Sequence, residues 1–264
     1  MKYFILTIAL LTLSACAPTD TAPDPLRWIE VEVPPAPEIT DALRNVGTGV
    51  YGESCTSCHG DQGRGDGTEI APLATPPRDF SLALFKLRST EGFPSDSDLY
   101  RSITVGFPPY GMPAFDSLPS NERWALVHHI KSLIQTAAPT KSLHPGAPIK
   151  MPPPKKYNQR SIDLGKVLYD KNGCAFCHGA KGDAKATIPL MDAQGNSIQP
   201  RNFREGLEHF KSGGQPEDIV RILMTGIEGT PMQSIARTGS DNAQLWDIAH
   251  YVHFLATSPE EESP

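Results

Sequence analysis

Cys55-Thr56-Ser57-Cys58-His59 and Cys174-Ala175-Phe176-Cys177-His178 repeat one pattern at a separation of 119 residues. On a helical turn, positions i, i+3 and i+4 share a face, so each copy presents two thiols and an imidazole together. Thiols add to the vinyl groups of a porphyrin as thioethers, and an imidazole nitrogen binds the iron. C-x-x-C-H therefore reads as an attachment site for c-type haem. Two copies predict two covalently bound haem c groups, held by Cys55 and Cys58 and by Cys174 and Cys177, with His59 and His178 as iron ligands.

A thioredoxin-like dithiol and a four-cysteine zinc site are the competing readings. A dithiol does not need a histidine directly after it. A zinc ribbon needs its two knuckles within one small unit, whereas these open separate segments of about a hundred residues each. The chain has five cysteines, and four lie in the two motifs. Only Cys16 remains, so no pair is left for a structural disulfide.

Cys16 has a separate explanation. Lys2 and the apolar run from Tyr3 to Leu13 have the charged start and short hydrophobic region of an export signal, too short to span a bilayer. The run ends in Leu13-Ser14-Ala15-Cys16, which is similar to a bacterial lipobox, where cleavage precedes a cysteine that receives lipid. Residues 1–15 are thus expected to be a signal peptide and Cys16 a lipidation site. A lipid anchor would place the protein on the periplasmic side of a bacterial membrane, where this kind of haem attachment takes place.

Removal of residues 1–15, which carry Lys2 and no acid, takes the formal charge from −6 to −7. This acidity disfavours nucleic acid as a partner. Residues 16–38 contain six prolines and read as an extended tether. The stretch 139–160 adds Pro145, Pro148, Pro152, Pro153 and Pro154 to five basic residues and no acid, and reads as a semi-rigid linker. Between and after these lie two domains, 39–138 and 161–258, followed by an acidic tail at 259–264.

The two domains share more than the haem motif. Val46-Gly47 with Val50-Tyr51 answers Leu164-Gly165 with Leu168-Tyr169; Pro77-Arg78-Asp79-Phe80 answers Pro200-Arg201-Asn202-Phe203. Asp98, Arg101 and Gly106 have counterparts 120 residues on in Asp218, Arg221 and Gly226, and Trp124 and His128 have theirs 122 on in Trp246 and His250. Offsets that drift between 118 and 123 mark loop-length changes between fixed elements, hence an internal duplication. Apolar spacing predicts helices over about 40–52, from near Asp98, and over 121–135, with a closing helix over 244–257.

Each half resembles a class I c-type cytochrome domain, and the pair a dihaem cytochrome c of lipoprotein type. The resemblance implies an all-α fold of two tandem cytochrome c-like domains joined by the Pro-rich linker. First and last helices would cross near Gly47 and Gly165. It also implies a methionine as the sixth iron ligand. Met112, in Gly111-Met112-Pro113, lies 53 residues after His59, and Met232 lies 54 after His178; Met191 and Met224 compete in the second domain. A histidine on a closing helix (His128, His129, His250 or His253) is the alternative ligand, although these positions read as polar sites near the helix surface. By analogy, the carbonyls of Pro72 and Pro189 would accept the Nδ1 protons of the axial histidines. Arg78, Arg201, Trp124 and Trp246 would bond haem propionates, with core packing as the other role for the tryptophans.

With nitrogen and sulfur both bound, each iron has no open position. The expected function is a membrane-tethered electron carrier that passes single electrons between a membrane complex and a redox partner protein, without a small-molecule substrate. The alternatives are a dihaem enzyme of the peroxidase or sulfur-oxidising kind, or an electron-transfer subunit of an oxidoreductase complex. No spare cysteine exists to serve as a catalytic ligand of the sulfur-oxidising type.

Overall fold

The computed structural model describes residues 27–70, 75–236 and 242–258, so Cys16 and Pro72 lie outside the described residues. Thr40 accepts a hydrogen bond from the Leu43 amide (3.2 Å) and starts α1, Asp41–Ser54. The first haem motif follows on the single turn α2, Thr56–His59, ended by Gly60 at φ +74°. A capping box between Ser95 and Asp98 opens α3, Asp96–Val105, two residues earlier than the apolar pattern suggests. The longest helix, α4, covers Ser120–Ala137.

The second half repeats the order. Asn158 caps α5, Gln159–Lys171; α6, Cys174–His178, carries the second motif; Pro216 occupies the first turn of α7, Pro216–Thr225; and α8 is Asn242–Thr257. The described residues contain eight helices and no strand, only isolated bridges. The expected all-α architecture is thus the observed one. Among the described residues, no helix is long and apolar enough to cross a membrane.

In each half, the first and last helices pack against each other, α1 on α4 and α5 on α8. The crossing requires glycine. A Cβ on Gly47 would run into the backbone carbonyl of Ala125, and one on Gly165 into that of Asp247. Around each crossing lies a core of its own: Tyr51, Phe80, Leu99, Ile103, Trp124, Val127 and Ile130 in the first, Tyr169, Phe203, Ile219, Leu223, Trp246 and Val252 in the second.

The described part of the first proline-rich segment, 27–38, and the linker 139–160 both make contacts with these cores. Residues 27–38 lie against the protein, with Trp28 and Val31 buried. Residues 144–149 run beside 89–93, where Glu91, Gly92 and Phe93 donate to the carbonyls of Ala147, Pro145 and His144 at 2.8–3.2 Å. The linker is therefore fixed to the first half over 144–149 and to the second from Met151 on. The two halves also touch directly. Arg88 donates to the Thr225 carbonyl (2.6 Å), the Tyr110 hydroxyl to the His209 carbonyl (2.7 Å), and Arg27 pairs with Asp218 at 2.8 Å.

Candidate functional site

The chain's short turns α2 and α6 place the motif residues at the wall of each core. His59 Nδ1 lies 3.1 Å from the carbonyl oxygen of Arg78, and His178 Nδ1 lies 3.0 Å from that of Arg201. A ring that donates its Nδ1 proton to the backbone keeps Nε2 as a free lone pair, the state a metal requires. Each ring is also stacked on a phenylalanine, His59 on Phe80 (4.7 Å) and His178 on Phe203 (4.6 Å). Burial holds both imidazoles below their ordinary pKa, with the carbonyl bond working weakly the other way. They are neutral at pH 7.

These carbonyls correct the sequence expectation for Pro189: the bond to His178 comes from Arg201, twelve residues further along the loop. The local pattern gave no access to this, because the path of the loop after the motif is set by packing rather than by spacing. Phe80 and Phe203 donate their amides to the carbonyls of Gly63 and Gly182 (2.7 and 2.8 Å), which brings the arginine carbonyls under the histidines. Tyr51 and Tyr169 tie the same turns from the other side, donating to the carbonyls of Gly60 and Gly179 at 2.9 and 2.8 Å.

In the first half, Cys55, Cys58, His59 and Met112 line one cavity of about 1300 Å³ that opens to solvent. Its walls are otherwise largely apolar, among them Phe80, Phe85, Leu99, Ile103 and Ile130. The charged side chains on it are Arg78, Lys86 and Lys211, all cations. Such a space suits a broad apolar body that carries carboxylates, and the donor set of two thiols, an imidazole and a thioether suits an iron porphyrin. Burial raises the Cys55 thiol to about 11, with the Cys58 thiolate adding to the effect, and burial likewise raises Cys174 to about 11. Burial of these two thiols works against the low-pKa thiolate that a redox dithiol uses.

Met112 is carried to the cavity by a loop closed on itself. Phe107 donates its amide to the Met112 carbonyl (2.7 Å) and accepts from the Met112 amide (3.3 Å). Gly106, at φ +58°, turns the chain out of α3, and a side chain there would strike the Pro113 carbonyl. The second half repeats this: Gly226 (φ +65°) ends α7, Ile227 donates to the Met232 carbonyl (2.9 Å), and Thr230 Oγ1 accepts from the Met232 amide (3.2 Å). Met232 packs against the same core as Cys174. Met224 also packs there, whereas Met191 is 57% exposed.

The histidines of the closing helices do not line the first cavity. His250 departs from the expected surface position altogether. It is 1% exposed, with Nδ1 2.7 Å from Ser161 Oγ, which in turn donates to Asp247; Lys155 pairs with the same carboxylate at 2.6 Å. The tryptophans are core residues with partners of their own: Trp124 donates its indole proton to the Pro34 carbonyl (3.2 Å) and Trp246 to the Pro152 carbonyl (3.4 Å). Trp124 does not line the first cavity, so the propionate role falls away for it, and the indole proton of Trp246 is likewise already used on a backbone carbonyl. Sequence reasoning missed Lys86 and Lys211, although Phe85-Lys86 and Phe210-Lys211 are a repeat at an offset of 125.

Comparisons with known proteins fall on the same two halves. A family model described as "Cytochrome C oxidase, cbb3-type, subunit III" matches residues 42–130, and one described as "Cytochrome c" matches residues 162–256. No curated protein matches. Among solved structures, a chain of the reducing HAO-like protein complex of Kuenenia stuttgartiensis is 32% identical. It aligns over 86% of this chain and 100% of its own, with a TM-score of 0.76.

Proposed function

Because this chain belongs to the dihaem class I c-type cytochromes and carries two covalently bound haem c groups, we propose that it is a carrier closed to substrate. In this reading it moves single electrons between a membrane complex and a redox partner protein. The group supplies a one-electron change between ferric and ferrous iron. The observation that carries the reading is the placement of His59 and Met112 on the walls of one cavity, each fixed by backbone hydrogen bonds. A nitrogen ligand and a thioether held in this way leave no coordination position for substrate. His178 and Met232 are assigned the same roles in the second half. Because the loops are tied at both ends, the ligands keep their positions in both oxidation states.

Carbon monoxide added to the reduced protein tests this. A closed carrier binds it poorly at both sites, and rapid stoichiometric binding at either would instead indicate a catalytic centre. A second reading, that the chain serves as an electron-transfer subunit of an oxidoreductase complex, is favoured by the 32% identity to a chain from such an assembly. Copurification of a stable larger complex from the native membrane distinguishes it from a free carrier.

The proposal includes a lipid on Cys16 and a site on the periplasmic side of a bacterial membrane. Its support is the signal-like run before Leu13-Ser14-Ala15-Cys16. Cys16→Ser should release the protein from membranes; retention would reject the anchor.

A further inference from the structure

Lys211 belongs to the second repeat but lines the cavity of the first, together with His59 and Met112. Its ammonium lies 3.7 Å from the ring centroid of Tyr110 and 5.9 Å from that of Phe107, on the loop that carries Met112. Arg201 Cζ lies over the same Tyr110 ring at 5.1 Å. Lys86 lines the same cavity as Lys211, and the two lysines act electrostatically on each other and are both under the influence of Arg78 and Arg201. Four cations from the two repeats thus converge where the halves meet.

Compensating charge is sparse. Arg201 pairs with Glu205 at 2.7 Å, Asp192, Asp79 and Glu228 act on Arg78 from further away, and Asp192 also acts on Lys86. Among the described residues, neither Lys86 nor Lys211 forms an ion pair. Burial, reinforced by Lys86 and then by Arg78 and Arg201, depresses the Lys211 ammonium to about 6. Two half-buried lysines that share an apolar cavity wall with no acid on it are self-repelling unless an anion sits with them. The cavity that Lys86 and Lys211 share has no acidic lining residue and an apolar wall, which matches an amphipathic ligand with carboxylates on one edge.

We propose that Lys211 is a cross-domain counter-cation for the carboxylates of the haem held by Cys55 and Cys58. With Lys86, Arg78 and Arg201, it belongs to one cluster of cations drawn from both halves beside the first cavity. This rests on the reading that both halves are loaded. A positive charge near an iron favours its reduced state, so loss of the Lys211 charge makes the first haem harder to reduce.

The test is a redox titration of the two-haem protein, with the two waves assigned by the separate variants Met112→His and Met232→His. Lys211→Met should lower the wave assigned to the first haem, changing its reduced-to-oxidised ratio at fixed potential three- to tenfold, tenfold being about 59 mV. Lys211→Arg should leave that wave near its wild-type position. A first-haem wave that stays in place in Lys211→Met, or a shift confined to the second haem, overturns the proposal. If Lys211→Met does not retain both haems by mass, Lys211→Gln is read by the same criteria. Failure of Met112→His to move any wave would instead overturn the ligand assignment.

Discussion

The indole N–H of Trp124 donates to the carbonyl oxygen of Pro34, 90 residues earlier in the chain. Trp246 repeats the bond with Pro152, so the duplication extends into the proline-rich segments that precede each half. Each such segment is a strap fastened to the closing helix of its own half. Trp124→Phe keeps the ring in the core and removes only the donor, leaving the half-buried Pro34 carbonyl short of a partner. A loss of about 1 kcal/mol of stability is expected, measured by urea unfolding of the haem-loaded protein. The longer bond of Trp246 should cost less on the same substitution. Equal stability of Trp124→Phe and wild type would show that water replaces the bond.

Glycines in α1 provide an internal control on the helix crossing. Gly47 has the Ala125 carbonyl where a Cβ would go, whereas Gly49 has nothing within 4 Å. Gly47→Ala should therefore destabilise by about 1–3 kcal/mol through forced separation of α1 and α4. Gly49→Ala should stabilise by about 0.5–1 kcal/mol, because alanine gives up less freedom on entering a helix. Thermal unfolding of the two variants should shift in opposite directions. A shared direction would mean that the crossing yields more easily than its backbone contact implies.

What was legible in the sequence was whatever a local pattern encodes. Cys55, Cys58 and His59 share a face because of helical geometry, and the glycines at the crossings were marked by their recurrence beside Tyr51 and Tyr169. Partners supplied by chain folding were not legible. The Arg78 carbonyl reaches His59 only after an eighteen-residue excursion, and Lys211 reaches the first cavity only because the halves pack together. His250 was misplaced for a related reason. A histidine on an amphipathic helix reads as polar surface unless Ser161, from the helix opposite, is known to be waiting for its Nδ1.

That buried histidine makes stability depend on pH. Burial lowers the His250 pKa, with Lys155 and His253 adding to the effect and Asp247 opposing it. Tyr157 stands edge-on to the ring at 5.1 Å. Between the folded pKa and the unfolded value of about 6.5, the unfolded chain binds more protons than the folded one. Stability is therefore complete above about pH 6.5 and falls as the pH drops toward the folded pKa, with a slope of at most about 1.4 kcal/mol per pH unit for this group. His250→Asn retains a polar group near Ser161 and does not titrate, so its stability should fall less between pH 7 and pH 5. His128 and His129, also held low by burial, are common to both proteins and cancel in the comparison. A constant gap between variant and wild type across that range would remove His250 as the cause.

The ligand assignment is tested most directly by taking away one thioether at a time. Met112 sits in a loop closed by the Phe107 backbone, so Met112→Ala removes the side chain without releasing the loop. The first site then offers an open position beside His59, while the second remains as it was. Reduced Met112→Ala should bind about one equivalent of carbon monoxide per two haems, and its weak methionine-sulfur band in the oxidised spectrum should fall to about half. Met232→Ala should do the same at the other site, and the double variant should bind at both and lose the band. Met112→His should keep the site closed but lower its potential, because a second imidazole favours ferric iron more than a thioether does. If Met112→Ala keeps the band at full strength and stays closed to carbon monoxide, another side chain holds the iron, and the account of the first half as a thioether-capped carrier is wrong.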